Sequence, residues 1–221
     1  MLYMIGGAPR SGKTTLARRM LAEHGLDYFS IDVLIGHLAG AQPELGLRVQ
    51  DPALKRVEIV WPVLRKIASD VLRSGDDLVL EGDVLLPRHL MEFGHGTHNG
   101  IKACFIGYAD VEPEKKLREI REHAACGADW TGELDDVRLL NLIGDLRAFS
   151  EYLRRECCHF KIPYFDGSTC FAGAVRDAKT YLQSGVGKIP ALAPMALLKI
   201  ATFNVNRVNE RERNRGLEIC D

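Results

Sequence analysis

The order of apolar runs and amphipathic stretches predicts an α/β protein, with a parallel sheet covered on both faces by helices in a three-layer α/β/α arrangement. Two observations carry that expectation. The strand-like runs are apolar at nearly every position, as in strands buried on both faces, and helical periodicity fills most of the gaps between them. A third observation is a phosphate-loop pattern where the first strand candidate gives way to the first helix.

The elements follow in order. Leu2 to Ile5 is an apolar run entering Gly6 and Gly7, and Thr14 to His24 then spaces Leu16, Met20 and Leu21 as a helix does. Tyr28 to Ile31 and Leu78 to Leu80 are the second and third strand candidates. Between them, Pro52 to Arg73 has helical periodicity at Leu54, Val57, Val60, Leu64, Ile67 and Val71, with Pro62 expected to divide or kink it. Ile101 to Tyr108 and Ile162 to Phe165 complete the strands, separated by helices at Glu114 to Ala124 and Leu134 to Cys158. A last helix follows at Phe171 to Gln183.

A chain of 221 residues can bury a core without disulfides or metal. With 29 basic and 30 acidic side chains its formal charge is -1, which removes bulk attraction to nucleic acid or anionic lipid. Met1 to Arg10 lacks the features of a secretory signal, and the longest apolar run, Ile189 to Leu198, is broken by Pro190 and Pro194, so neither export nor a membrane span is expected. The six cysteines show no C-x-x-C pair, which fits reduced thiols and a cytoplasmic location.

The strongest motif is Gly7-Ala8-Pro9-Arg10-Ser11-Gly12-Lys13-Thr14, a full match to G-x-x-x-x-G-K-[ST] after a strand and opening a helix. Glycine lets such a loop aim successive backbone N–H groups at one anion, and the helix adds the positive end of its dipole. Residues Gly7 to Thr15 are therefore the expected nucleotide-binding segment. Lys13 would act on the β and γ phosphates, and the Thr14 hydroxyl is a candidate magnesium ligand. ATP with Mg²⁺ is the expected cofactor. The guanine-reading sequence Asn-Lys-x-Asp occurs nowhere, which disfavours a GTPase.

Other strand ends supply candidate chemistry. Asp32 follows the second strand, where a carboxylate can accept a proton from a substrate hydroxyl or orient it; Asp is also a preferred helix cap, a role compatible with catalysis. Glu81 and Asp83 close the third strand as a Walker-B-like acid should. Glu81 is the better magnesium candidate, and an ordinary Glu-Gly-Asp turn is the alternative. Arg118 and Arg121, three apart on the helix after the fourth strand, could reach a transferring phosphoryl group when a lid tipped by Cys126 to Gly132 closes; a solvated helix face is the alternative.

The phosphate loop, Asp32 and Leu80-Glu81-Gly82-Asp83-Val84-Leu85-Leu86-Pro87 together resemble the small P-loop kinases, nearest to 2-phosphoglycerate-kinase-like and related metabolite or nucleotide kinases. The resemblance spans residues 1 to about 184. It implies a five-stranded parallel sheet, a helical substrate-binding insert after the second strand and a lid. It places Lys13 on phosphate, Thr14 on magnesium and Asp32 on the acceptor side, with Ile162 to Ser168 flanking the adenine. Arg10 departs from the glycine of many nucleotide kinases, and Gly36 to Val49 carries no acceptor pattern. The implied function is ATP-dependent transfer of the γ-phosphoryl group to a small hydroxyl- or phosphate-bearing metabolite. The alternative is an ATP-binding or ATPase regulatory module without such an acceptor. A small-molecule partner is expected, and neither membrane nor nucleic acid.

Cys157-Cys158-His159 and His95-x-x-His98 lack the partner pairs of a tetrahedral zinc site and read as buried thiols at a helix end and polar histidines in a glycine loop. Residues 185–194 read as a linker. In the tail, 195–221, Leu198 to Asn206 resembles the opening strand of exonuclease III-type apurinic endonucleases, which would place Asn204 at that family's metal and phosphate site. Arg207 stands where that family has glycine. The segment is too short for nuclease chemistry and is expected to be a remnant or read-through, or else an edge strand or extension.

Overall fold

A computed structural model describes residues 1–93, 100–124 and 130–184. The lid tip at 126–129, His95 and His98, the linker and the endonuclease-like tail lie outside the described residues.

Five strands form one parallel sheet: β1 (Leu2–Gly7), β2 (Tyr28–Ser30), β3 (Leu78–Glu81), β4 (Ile101–Gly107) and β5 (Tyr164–Asp166), in the order β2-β3-β1-β4-β5. Leu2 lies opposite Leu78 on one side and Ile101 on the other, so β1 is central and hydrogen-bonded along both edges. The crossovers contain α1 (Lys13–His24), α2 (Ile31–Ala41), α3 (Ala53–Ser74), α4 (Pro113–Ala124) and α5 (Asp136–Phe160), and α6 (Phe171–Gln183) follows β5. Short 3₁₀ turns occupy Pro43–Leu45, Pro87–Phe93 and Trp130–Glu133.

Side-chain alternation along the strands makes the three layers. Leu2, Met4, Leu78, Leu80, Ala103 and Phe105 face one way, onto a core shared with Ile31 and Ile35 of α2, Val57, Val60 and Leu64 of α3, and Leu153 of α5. Tyr3, Ile5, Val79, Cys104 and Ile106 face the other way, onto Leu16 and Met20 of α1 and Val175, Ala178 and Leu182 of α6. Each fully buried Leu, Ile or Val contributes roughly 1.5–3 kcal/mol relative to exposure, so the continuous apolar strands hold the sheet between its helical layers.

Two expectations about helices change. Pro62 does not divide α3, which runs from Ala53 to Ser74. Pro62 and Glu58 are both exposed, so the carbonyl that loses its helical donor there faces water, while Val57, Val60, Leu64 and Ala68 form an unbroken buried stripe. Asp32 is not the cap of α2. That position belongs to Ser30, and Asp32 stands in the first turn, a favourable place for an acid at the positive end of a helix.

Candidate active site

In a parallel sheet all strand carboxyl ends meet at one edge, and the chain changes direction of travel about β1, which opens a crevice there. The phosphate loop leaves β1 at that edge. Gly7 has φ 146°, and a Cβ on it would stand 2.1 Å from the Ile106 carbonyl oxygen, so the sharp departure from the sheet admits no side chain. Gly12 has φ 97° and packs against Val175 and Phe171 of α6.

Arg10 adopts φ 64°, the left-handed region that costs a non-glycine residue about 1–2 kcal/mol. This accounts for the glycine expected in such loops. Here the cost is met by contacts: the guanidinium donates to Thr131 Oγ1 at 2.8 Å, and the Arg10 carbonyl accepts from Lys116 Nζ at 3.2 Å.

The start of α1 is bare. It has no side-chain cap and no acid in its first turn, and the amides of Gly12, Lys13, Thr14 and Thr15 donate to no backbone carbonyl among the described residues. Lys13 is buried, and its ammonium turns back to the Ala8 carbonyl at 2.9 Å, an oxygen that also accepts from the Ser11 amide at 3.2 Å. Amides and ammonium therefore converge inside the loop, a setting in which a phosphate would satisfy several donors at once.

The β1–β3 pairing sets Ile5 opposite Glu81 and brings that carboxylate beneath α1. Thr14 Oγ1 donates to Glu81 Oε1 at 3.2 Å. Glu81 is fully buried and its Oε2 has no partner; Ser11 Oγ and Asp83 Oδ1 are likewise buried and unpaired. Buried polar atoms are normally satisfied, so orphans gathered at one edge point to a missing ligand. A hydroxyl beside a carboxylate, with room for water and phosphate oxygens, is the oxygen donor set that magnesium takes. Among the described residues no three His, Cys, Asp or Glu side chains group as a self-contained metal cage.

The choice between Glu81 and Asp83, open in the sequence, divides by partner. Asp83 is engaged instead by a buried ion pair, Arg56 Nη2 to Asp83 Oδ2 at 2.5 Å, and Arg56 Nε donates to the Asp51 carbonyl at 2.8 Å. Gly82 lies against α2, where a Cβ would come within 2.8 Å of Ile31 Cβ. That close approach brings the neighbours of the two residues, Asp83 and Asp32, into one electrostatic field.

Asp32 remains open to solvent at the surface of this crevice. Its carboxyl is pushed up to about 6 by the density of protein around it and by the negative charges of Asp83 and Glu81, with Lys13 and Arg56 pulling the other way. An accessible carboxylate titrating near neutrality can take a proton from a hydroxyl.

The two arginines of α4 are placed differently from one another. Arg121 is spent on the ends of its own segment, donating to the carbonyls of Thr131 at 3.2 Å and Leu134 at 2.6 Å and to Asp136 at 2.8 Å. Arg118 is exposed, and neither arginine touches the phosphate loop. Lys116 does, a residue that sequence reasoning passed over. It shares a buried stripe with Ile120, four residues on, and a lysine at a stripe position is the signal that distinguishes it from a solvated charge run. Arg56 carries the same signal, standing between Ala53 and Val57 in the buried stripe of α3.

At the far side of β4, β5 ends in Asp166, whose Oδ1 accepts from the Ser168 amide at 2.8 Å. The Gly167 amide donates to the Gly107 carbonyl at 2.7 Å, and Lys115 Nζ donates to the Ser168 and Thr169 carbonyls, each at 3.1 Å. The segment assigned to the adenine side thus shares the sheet edge with the phosphate loop. Of the two thiols expected to be buried at a helix end, Cys157 is buried but Cys158 is exposed, because adjacent residues of α5 point to different faces; both are free.

A family model described as an AAA domain matches residues 2–93, the stretch containing the phosphate loop, Asp32 and Glu81. Among solved structures, a shikimate kinase from Bacteroides thetaiotaomicron superposes with a TM-score of 0.50 at 16% identity, covering 83% of this chain and 96% of that one. A gluconokinase from Sinorhizobium meliloti superposes with a TM-score of 0.51 at 18% identity, covering 81% of this chain and 90% of that one. The fold shared with them is the three-layer α/β/α P-loop architecture with a five-stranded parallel sheet. No curated protein matches this sequence. No helix among the described residues is long and apolar enough to cross a membrane.

Proposed function

We propose that this chain is an ATP-dependent phosphotransferase that moves a γ-phosphoryl group to a small hydroxyl- or phosphate-bearing metabolite, with residues 1–184 as the catalytic domain. The observation that carries the reading is the meeting of two half-sites at one sheet edge: uncapped amides with a buried lysine on α1, and an accessible carboxylate, Asp32, pushed up to about 6 on α2.

Loop residues Gly7 to Thr15 bind the phosphates through the amides at the start of α1. Lys13 leaves the Ala8 carbonyl for the β and γ oxygens, an exchange that replaces a neutral acceptor by a charged one. Asp32 orients the acceptor hydroxyl and takes its proton as the new bond forms. Thr14 and Glu81 would hold Mg²⁺, which when bound neutralises charge on the phosphates. The orphaned Glu81 Oε2 supports that assignment. Arg118, exposed on α4, is able to turn toward the transferred group; Arg121 serves the same end by holding Thr131 and Leu134 against α4.

Incubation with Mg-ATP and a metabolite pool tests the proposal. A new phosphorylated species that disappears with Lys13→Ala is expected. Phosphate release without one would identify an ATPase, and turnover that survives Lys13→Ala would remove the loop from the chemistry.

A further inference from the structure

We propose that Tyr108 and Lys116 are positioning residues of the phosphate loop: by holding the Pro9 and Arg10 carbonyls they fix the turn after which the amides of Gly12 to Thr15, which have no backbone acceptor, are left for an anion. The inference rests on reading that loop as the nucleotide site.

In a trans peptide the C=O of one residue and the N–H of the next point in opposite directions, so fixing a carbonyl fixes the amide after it. Tyr108 OH donates to the Pro9 carbonyl at 2.7 Å, and Lys116 Nζ donates to the Arg10 carbonyl at 3.2 Å. The amide following Arg10, that of Ser11, is thereby turned onto the Ala8 carbonyl at 3.2 Å, the oxygen to which Lys13 Nζ also donates, and this closes the turn just before the unpaired amides of Gly12 to Thr15. The anchors belong to the segment after β4 and to α4, so the loop takes its shape from elements outside its own motif.

Both anchors are built in. Tyr108 is 1% exposed, and burial raises its phenol, which therefore stays protonated and able to donate. Lys116 is 5% exposed. Its ammonium lies over the Tyr108 ring at 4.3 Å and the Phe171 ring at 5.6 Å, with Glu119 Oε2 at 3.5 Å. Two aromatic faces and one carboxylate leave the ammonium little freedom other than toward the Arg10 carbonyl.

Tyr108→Phe deletes only the hydroxyl, and Lys116→Met deletes the ammonium while keeping the stem. Affinities for magnesium tripolyphosphate, which has no base, and for Mg-ATP are measured by calorimetry, with kcat and KM alongside. Each variant is expected to weaken both ligands about five- to tenfold, the size of one buried hydrogen bond, leaving the acceptor KM unchanged. Amide exchange over Arg10 to Thr15 should quicken, and Lys116→Arg, which retains a donor, should restore binding. Unchanged tripolyphosphate affinity overturns the proposal, and loss confined to Mg-ATP would move Lys116 to the base instead. If the unmodified protein binds neither ligand, the nucleotide site itself is refuted and this inference with it. Should Tyr108→Phe fail to fold, the Lys116→Met and Lys116→Arg pair decides alone.

Discussion

The Thr14 hydroxyl lies 3.2 Å from Glu81 Oε1, joining the first turn of α1 to the end of β3 across the β1–β3 strand pair. This contact aligns the uncapped N-terminal end of one helix with a fully buried carboxylate that has one oxygen still unpaired.

Glu81→Gln keeps an acceptor for Thr14 and removes the buried charge. Thermal unfolding should therefore be unchanged or raised, since an uncompensated buried carboxylate is costly. Turnover should fall by about 10²–10³, and the magnesium concentration for half-maximal rate should rise. A variant with normal magnesium dependence would take Glu81 out of the metal shell.

The base role proposed for Asp32 requires its ionised form, so kcat/KM for the free enzyme should rise with pH through about 6 and level off above it. Stability runs the other way. The folded value lies above the ordinary aspartate value of 3.8, so folded protein binds the extra proton between them and loses stability as pH rises from 3.8 to about 6. Asp32→Asn should abolish most turnover and flatten that part of the stability profile. Rate profiles and urea unfolding at stepped pH read the two effects separately.

Breaking the Arg56–Asp83 pair from one side leaves a buried charge without its partner. Arg56→Met should cost about 3–5 kcal/mol in urea unfolding. The double variant Arg56→Met, Asp83→Leu should recover much of that loss. Additive losses would mean that the two side chains do not interact.

Gly82→Ala places a methyl group 2.8 Å from Ile31 Cβ; Ile31 is buried at the start of α2, and the Gly82 amide is tied to the Ile5 carbonyl at 3.2 Å, so neither side moves freely. A loss of about 1–3 kcal/mol is expected from overpacking, measured by thermal unfolding. Because Asp32 and Asp83 flank the contact, kcat/KM should fall further than stability alone explains when assayed well below the unfolding temperature.

Much of the framework was legible in the sequence. Leu2 to Ile5 and Leu78 to Leu80 are apolar without alternation, the pattern of strands covered on both faces, and the turn from β1 into α1 spells the phosphate loop directly. Pro62 misled because a proline in isolation reads as a break; whether it is one depends on which face of α3 it occupies. Arg118 and Arg121 share a helix face by spacing, yet spacing says nothing about Thr131 and Leu134, whose carbonyls claim Arg121. Glu81 and Asp83 are two residues apart and chemically alike, and only their neighbours separate them.

The amino-acid order by itself determined the strand-loop-helix of the phosphate-loop motif and the succession of elements around it, because periodicity and the φ demands of a glycine loop are local properties. Tertiary structure decided which charges meet: Thr14 with Glu81, Arg56 with Asp83, Lys116 and Tyr108 with the outward carbonyls of the loop. Those pairings join residues far apart in the chain, and at buried sites the strength of a charge or hydrogen bond is set by what packing places beside it.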